Sequence, residues 1–295
     1  MMCKINMKRF LIVHGPNLNL LGEREPKIYG SMTLEELNAA ISVFAKLRNL
    51  ETIFFQSNHE GGLIDCLHEH RRKVAGVVIN PGAFTHYSYA LRDAISSIQL
   101  PVVEVHLSDI HQREAFRKIS VIKEVCLAQI TGLGKDSYLQ AIEWLVGHWL
   151  TAEFKKYLAT KPSIDEAYRT CVKLLKRDFP KYDWVGIYLV DGNDLVLHNF
   201  IGAPSPHTRI PIGQGICGAA VAEAQTIIVP DVNADPRYLA CSIETKSEIV
   251  VPIQAQKIFG EIDIDSHTAN AFHSGDQAML GKMACALADY LTDMI

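Results

Sequence analysis

The chain has 295 residues, of which 48% are hydrophobic and 21% charged, and its formal net charge is −4. These values are typical of a globular, soluble protein, and at about one domain per ~150 residues the length favours two domains. No apolar run approaches the ~18 residues that a membrane span needs, and no concentration of basic residues indicates a nucleic-acid surface. The short, polar amino-terminal segment does not resemble a secretory leader, so we expect a cytoplasmic protein whose seven Cys are mostly thiols.

The first half of the sequence alternates β-type apolar runs with helical patterns. The strand candidates are Phe10–His14, Thr52–Gln56, Gly76–Asn80, Val102–His106 and Val125–Thr131. Helical patterns begin at Thr33, which forms a capping box with Glu36, and cover His59–Lys73, Ser88–Ser97 and Lys135–Trp149. This βα alternation predicts an α/β domain over residues 1–150, with a doubly wound parallel sheet and helices on both faces.

A polar segment, residues 151–163, is interpreted as a linker. A new helical pattern follows over residues 164–177. The hydrophobic pattern then changes to β-type runs: WVGIYLV (184–190), DLVLHNF (194–200), TIIVPDV (226–232) and EIVVPI (248–253). A last helix is predicted from Ser274 to Ile295. This order predicts an α+β domain over residues 164–295 rather than a second parallel unit.

An Asn-, Gly- and charge-rich segment, GPNLNLLGEREPKIYG (15–30), follows the first strand, where an open α/β sheet carries its ligand loops. It places Tyr29 five residues after Arg24. A Tyr acts as a base only if its pKa of about 10 falls toward neutrality, which a permanent cation such as Arg24 would promote. His106 ends a strand at the same sheet edge and suits a general acid, while Glu104 faces the same side and could fix the imidazole tautomer.

Four motifs, this lid segment, INPGAFTH (79–86), EVHLSD (104–109) and REAFR (113–117), resemble type II 3-dehydroquinate dehydratase. The resemblance implies a flavodoxin-like fold and the dehydration of 3-dehydroquinate to 3-dehydroshikimate, a shikimate-pathway step, through an enolate. It implies Tyr29 as base, His106 as acid, Arg24 as activating cation and Asn17 beside the enolate. The substrate-side residues that we group with it are Asn80, His86, Glu104, Leu107, Ser108, Arg113 and Arg117, with Asp93 reaching in from a neighbouring subunit.

The same resemblance implies homo-oligomers, in which trimers associate into dodecamers. It implies no metal and no organic cofactor, because the chemistry is proton transfer alone. One departure is visible after REAFR: this chain has Lys118, Ile119 and Ser120 where the family continues with a His-Ser pair. We expect that change to affect loop support more than the chemistry.

The second half carries four segments, WVGIYLV, RIPIGQGICGAAVA (209–222), YLACSIETKSEIVVPI (238–253) and GEIDIDS (260–266), that resemble a GAF domain, specifically free methionine-(R)-sulfoxide reductase. That resemblance implies Cys241 as the attacking thiol and thioredoxin as the reducing partner, and GAF domains tend to dimerise. The residues implied to bind the substrate, free methionine sulfoxide, are Trp184, Glu248, Asp263 and Asp265. The family has a Cys where this chain has His207, which leaves Cys217 as the other thiol. Two alternatives therefore stay open: a reductase, or a non-catalytic module for small-molecule sensing, regulation or assembly.

Three other patterns superficially suggest further sites. Cys66 and His70 share a helix face, but their charged neighbours indicate a solvated surface. GQGICG (213–218) has a dinucleotide-type glycine spacing without the βαβ context that gives the spacing meaning. Asp263, Asp265 and His267 alternate on a strand, where we interpret the carboxylates as acceptors for a substrate ammonium rather than as metal ligands.

Overall fold

The structure, a computed structural model, describes residues 8–23, 31–112, 114–239 and 242–294. The chain divides into two compact units, Met1–Leu145 (unit 1) and Val146–Ile295 (unit 2). Helix α4 (Asp136–Leu158) begins in unit 1 and contains the first residues of unit 2. It continues past its predicted end at Trp149 because Leu150, Phe154 and Leu158 extend a buried stripe at four-residue spacing. Residues 151–158 of the predicted linker are therefore helical.

Unit 1 contains a five-stranded parallel sheet in the order β2-β1-β3-β4-β5. The strands are β1 (Lys8–His14), β2 (Leu50–Gln56), β3 (Gly76–Asn80), β4 (Val102–His106) and β5 (Ala128–Thr131). Three helices, besides the start of α4, connect them: α1 (Leu34–Lys46), α2 (Glu60–His70) and α3 (Tyr89–Ile98). The predicted flavodoxin-like sheet is confirmed. The last strand begins at Ala128 rather than Val125, because Lys123–Val125 form a 3-10 turn.

Both faces of this sheet are covered. Phe10, Leu11, Ile12 and Val13 are all fully buried although successive strand residues point to opposite faces, which is why the run is apolar throughout. The capping box at the start of α1 is confirmed: Thr33 Oγ1 accepts from Glu36 N–H, and Glu36 Oε2 accepts from Thr33 N–H. The strand order reverses between β1 and β3, and such a switch point opens a crevice at the carboxyl edge of the sheet.

Unit 2 contains a six-stranded antiparallel sheet in the order β8-β7-β6-β11-β10-β9. Its strands are β6 (Trp184–Asp191), β7 (Asp194–Ile201), β8 (Arg209–Pro211), β9 (Ile227–Val229), β10 (Ser247–Gln254) and β11 (Ile258–Ser266). Its helices, besides the end of α4, are α5 (Ile164–Asp178), α6 (Gly215–Glu223) and α7 (Ser274–Met294). The predicted α+β class is confirmed. None of the described helices combines the length and apolar character that crossing a membrane requires.

Candidate active site

A cavity of about 740 Å³ opens at the carboxyl edge of the unit 1 sheet. Segments that follow β1, β3 and β4 form its walls, which is where the switch-point rule places ligands. The lining residues are Pro16, Asn17, Leu18, Leu21, Asn80, Gly82, Ala83, His86, His106, Leu107 and Arg117. Six residues singled out from the sequence, Asn17, Asn80, His86, His106, Leu107 and Arg117, thus meet around one space.

Gly15 lets the loop after β1 approach the loop after β3. Its N–H donates to the Asn80 carbonyl at 2.7 Å, and a Cβ at this position would lie 2.6 Å from the Pro81 carbonyl carbon and oxygen. Asn17 follows in the left-handed region at φ 67°, which Asn tolerates better than most residues, and its N–H donates to Asn58 Oδ1 at 2.9 Å. These contacts hold the Asn17 backbone at the cavity wall.

His106 and Glu104 form a buried pair at the end of β4. The His106 Nε2 and Glu104 Oε1 atoms lie 2.7 Å apart, and Glu104 is fully buried behind the histidine rather than lining the cavity. With an ionised carboxylate as acceptor, Nε2 carries a proton, so Nδ1 is the ring nitrogen left for other chemistry. Glu104 therefore holds the His106 ring and is not among the residues that line the cavity.

Glu104 is held by donors from three further segments. Oε1 also accepts from the Thr85 hydroxyl, while Oε2 accepts from Ser120 Oγ at 2.9 Å and from Gln129 Nε2 at 2.8 Å. Burial by itself raises the pKa of this carboxyl, but the hydrogen bond and charge of His106, with the Thr85 and Ser120 hydroxyls, lower the pKa below its ordinary value. Glu104 is thus an ionised carboxylate in a buried site.

A chain of buried hydrogen bonds lies behind Asn80. The Asn80 side chain bonds the Tyr138 hydroxyl, Tyr138 Oη lies 3.0 Å from His14 Nδ1, and His14 Nε2 lies 2.9 Å from Asn38 Oδ1. Burial lowers the pKa of His14 to about 4, although the Asn38 hydrogen bond opposes this shift, so the ring is neutral. The acceptor Asn38 Oδ1 then assigns the proton to Nε2, and Tyr138 donates to Nδ1.

His86 and Arg117 bring the loop around residues 114–120 to the cavity. His86 Nδ1 lies 2.7 Å from the Ile119 carbonyl oxygen, and the half-exposed Arg117 guanidinium has Glu114 Oε2 at 3.7 Å. His86 contacts the backbone of Ile119, and the Ser120 hydroxyl donates to Glu104. Neither contact uses the side chains of Lys118 and Ile119, which are the residues that differ from the family pattern.

Asp93 and Ser108 are described residues that were predicted for the site but do not line this cavity. Tyr29, Arg24, Arg113 and Cys241 lie outside the described residues. Asp93 is exposed on α3, away from the lining, and its predicted role across a subunit boundary stays a prediction. Ser108 follows the lining residue Leu107 but does not line the cavity.

Unit 2 has its own cavity, of about 460 Å³, with an aromatic wall. Trp184 lies flat over Gly186, where a Cβ would be 2.1 Å from the indole ring, and its Nε1 donates to the Ala203 carbonyl at 3.0 Å. Tyr188 Oη donates to the His207 carbonyl at 2.7 Å. Among the described residues, its lining consists of Asp183, Trp184, Tyr188, Ala203, Pro204, Ser205, Ser242, Thr245, Asp263, Asp265 and His267.

Acidic side chains cluster on one face of β10 and β11, beside this cavity. Glu261, Asp263 and Asp265 alternate along β11, and Glu248 pairs with Asp265 across the strands. Cys217 of α6 lies against them, with its Sγ 3.5 Å from Asp263 Oδ2 and 3.8 Å from Glu248 Oε1. Burial, with the charges of Asp263, Glu261 and Glu248, raises the pKa of the Cys217 thiol, and burial raises the pKa of Asp263 to about 7.

Comparison with known proteins assigns each unit to a family. The family model "Dehydroquinase class II" matches residues 8–146, and the GAF domain model matches residues 163–289. A 3-dehydroquinate dehydratase of Bacillus pumilus is 59% identical over 140 residues, which cover 48% of this chain and 95% of the relative.

The chain belongs to the class II dehydroquinase family. Dehydroquinases of this family are hydro-lyases, and here a GAF domain follows the dehydroquinase unit. A type II dehydroquinase from Butyrivibrio crossotus is 47% identical, covering 47% of this chain and 97% of its own, at a TM-score of 0.46. A type II free methionine-R-sulfoxide reductase from Thermoplasma acidophilum is 37% identical, covering 48% of this chain and 96% of its own, at a TM-score of 0.42.

Sequence reasoning missed two groups of residues in this dehydroquinase chain. Thr85, Gln129 and Tyr138 hold Glu104 and Asn80 from elements distant in sequence, and no local pattern marks Gln129 or Tyr138. Glu261 is different, because the two-residue alternation with Asp263 and Asp265 places it on the same strand face. That signal was present in the sequence.

Proposed function

We propose that unit 1 dehydrates 3-dehydroquinate to 3-dehydroshikimate, with His106 as the general acid. The observation that carries this proposal is the buried His106–Glu104 pair at the mouth of a cavity that also presents Asn17, Asn80 and Arg117. A carboxylate-oriented imidazole is suited to proton transfer, and a guanidinium can bind a substrate carboxylate bidentately.

The proposed reaction has two proton transfers. Tyr29, as phenolate, takes the proton on the carbon next to the ketone, and the electron pair moves into an enolate beside Asn17. The enolate then expels the hydroxyl group, which takes the Nδ1 proton of a doubly protonated His106 ring and leaves as water, while Nε2–H stays on Glu104. The double bond forms as the C–O bond breaks, so no oxidant or reductant is consumed. Arg24 and Arg113 would favour the phenolate by their charge.

Tyr138 is a poor alternative base. It is fully buried and already donates its hydroxyl proton to His14, and burial raises its pKa above the ordinary value. Ionising it would place an unpaired charge in the core. Its contact with the Asn80 side chain instead supports a role in fixing the cavity wall.

The decisive experiment is Tyr29→Phe, which should abolish dehydration while the circular dichroism and unfolding curves stay unchanged. Tyr157→Phe is the matched control, because Tyr157 lies in the unit 2 part of α4 and does not line the cavity. Wild-type turnover in Tyr29→Phe would show that another group is the base.

Mass photometry of the same samples tests the proposed trimer-based assembly, in which Asp93 reaches a neighbouring subunit.

A second candidate function, the reduction of free methionine sulfoxide, belongs to unit 2. The Trp184 and Tyr188 wall beside Asp263 and Asp265 suits a small zwitterion with an apolar tail. Cys241 would attack the sulfoxide sulfur and take its oxygen, which leaves free methionine and a sulfenic acid on Cys241. A second thiol would then displace that oxygen as water and form a disulfide that thioredoxin reduces. The buried Cys217, whose pKa is raised, is a weak candidate for that second thiol and favours the alternative of binding without turnover.

NADPH oxidation coupled through thioredoxin reductase and thioredoxin separates the two alternatives. A reductase should consume NADPH with free methionine sulfoxide, and Cys241→Ser should abolish that rate while Cys285→Ser, at an exposed thiol, should not. No Cys241-dependent rate, together with saturable binding of methionine sulfoxide, would identify a sensing module.

A further inference from the structure

The acidic face of unit 2 contains a compact set of potential metal ligands: Cys217, Glu248, Glu261 and Asp263, called here the thiol-carboxylate cluster. One ligand atom from each of Cys217, Glu248 and Asp263 lies within 4.8 Å of the other two. All four side chains are buried, with exposed fractions of 6%, 5%, 0% and 3%. The cluster is thus closed to bulk water, which distinguishes it from an exposed acidic patch.

The cluster has more acceptors than donors, because three carboxyl groups surround the single proton of the Cys217 thiol, which faces Asp263 Oδ2 and Glu248 Oε1. Glu261 Oε1, Glu261 Oε2 and Asp263 Oδ1 are buried and have no hydrogen-bond partner within the described part of the chain. Glu261 nevertheless acts on the cluster, since its charge contributes to the raised pKa of Cys217. The charge of Glu248 contributes to raising the pKa of Arg237, but the Arg237 guanidinium donates its hydrogen bonds to Asp235. An ionised carboxylate that is buried without hydrogen bonds raises the free energy of the folded state. A bound proton or cation would remove this cost by neutralising the charge.

The atomic spacing distinguishes a metal ion from an organic ammonium. Around a tetrahedral ion with bonds of about 2.0–2.3 Å, ligand atoms lie about 3.3–3.8 Å apart. Around an ammonium nitrogen with hydrogen bonds of about 2.8 Å, acceptor atoms lie about 4.6 Å apart. Cys217 Sγ lies 3.5 Å from Asp263 Oδ2 and 3.8 Å from Glu248 Oε1. The thiol donates hydrogen bonds over these distances, and the same distances suit a metal ion and are too short for an ammonium.

We propose that the thiol-carboxylate cluster binds a divalent transition-metal ion of the zinc class, with Cys217 Sγ, Glu248 Oε1 and Asp263 Oδ2 as ligands and Glu261 supplying the fourth. A thiolate with carboxylates is a donor set that zinc accepts. This departs from the expectation that the chain binds no metal. It is independent of the dehydration proposed for unit 1, and it excludes Cys217 as a resolving thiol while the ion is bound.

The test uses the full chain after chelator treatment and removal of the chelator. Titration with Co²⁺ should produce the near-ultraviolet thiolate-to-cobalt charge-transfer band, saturating at one equivalent, and Zn²⁺ should abolish it by displacement. Cys217→Ser should remove the band. Glu261→Gln, which keeps the side-chain shape, should weaken Zn²⁺ binding by about 10- to 100-fold, the size typical of losing a supporting metal contact.

Matched variants exclude unrelated causes. Cys285→Ser and Glu223→Gln change exposed residues of the same unit and should bind Co²⁺ like the wild type. The circular dichroism spectrum and unfolding curve of each variant report that unit 2 is folded, because dehydration of 3-dehydroquinate reports only on unit 1. The proposal is overturned if wild-type protein gives no charge-transfer band, if the band survives Cys217→Ser, or if Glu261→Gln binds Zn²⁺ with unchanged affinity. Saturation by methionine sulfoxide in place of the metal would identify an ammonium site instead.

Discussion

Replacing Glu104 with Gln separates the charge of this side chain from its shape. In the wild type, Oε1 accepts from His106 Nε2 at 2.7 Å, and Oε2 accepts from Ser120 Oγ and Gln129 Nε2. A Gln side chain fills the same space but has one acceptor oxygen, and its amide nitrogen must face at least one of these donors. Whichever way the amide is oriented, the histidine loses a charged acceptor.

The size of the effect follows from that lost bond. A hydrogen bond to a charged group contributes about 1.5–3 kcal/mol, against about 0.5–1.5 kcal/mol for a neutral one. If the charged bond holds His106 in its reactive orientation throughout the reaction, removing it costs kcat about 10- to 150-fold. We expect KM to change little, because Glu104 does not line the cavity.

The assay follows the conjugated product by its ultraviolet absorbance, with Ser120→Ala as the matched control. Ser120→Ala removes one donor from Oε2 but leaves the bond between Oε1 and His106, so its kcat should fall less than about tenfold. Equal losses in the two variants, or wild-type kcat in Glu104→Gln, would refute a specific role for the charge.

A pH series gives a second readout of the same substitution. The pKa of Glu104 is lowered in the folded protein, so its contribution to stability is present above the ordinary glutamate pKa and is lost as the pH falls through the folded value. The difference in unfolding free energy between wild type and Glu104→Gln should therefore be largest near neutral pH and shrink in acid.

Three other perturbations have expected outcomes. Tyr138→Phe removes the hydroxyl that links two buried groups and should lower kcat/KM by up to about tenfold in the dehydration assay; an unchanged value would show that this link does not position the cavity wall. Gly186→Ala should destabilise unit 2 by about 1–3 kcal/mol in denaturant, because its Cβ would lie 2.1 Å from the Trp184 ring, whereas Gly281→Ala, with open space around it, should not destabilise; equal effects would contradict the packing argument. In chelator-treated protein, the pKa of Asp263 is raised to about 7, so its contribution to stability is complete below the ordinary Asp pKa and is lost as the pH rises to about 7. Hydrogen exchange of residues 247–266 should therefore show that local opening becomes easier between the ordinary Asp pKa and pH 7. The change should be smaller in Asp263→Asn.

Local patterns predicted most of the fold. The capping box at Thr33 and the strands Gly76–Asn80 and Val102–His106 are as the sequence indicates, because capping, alternation and turn signals act over a few residues. Several boundaries differ by a few residues. Among them, β5 begins after Val125 because Lys123–Val125 form a 3-10 turn, and α4 continues past Trp149 because the residues that follow are buried.

The residues that meet at the unit 1 cavity were mostly predicted, His106 from its place at the end of a strand and the others from the family resemblance. The residues that hold these lining residues in place were not predicted. Gln129 reaches Glu104 from β5, and Tyr138 reaches Asn80 from α4, through contacts that exist only after the sheet has assembled.

By itself, the sequence determined that a parallel α/β unit precedes an α+β unit, and its resemblance to a known family predicted that Asn80, His106 and Arg117 serve one site. Only the tertiary structure decided that Glu104 is enclosed by four donors, and that Glu261 is buried beside Cys217 without a hydrogen-bond partner in the described residues. The physical reason is that periodicity records which face a side chain takes, whereas desolvation and hydrogen bonding depend on what other segments bring to that face.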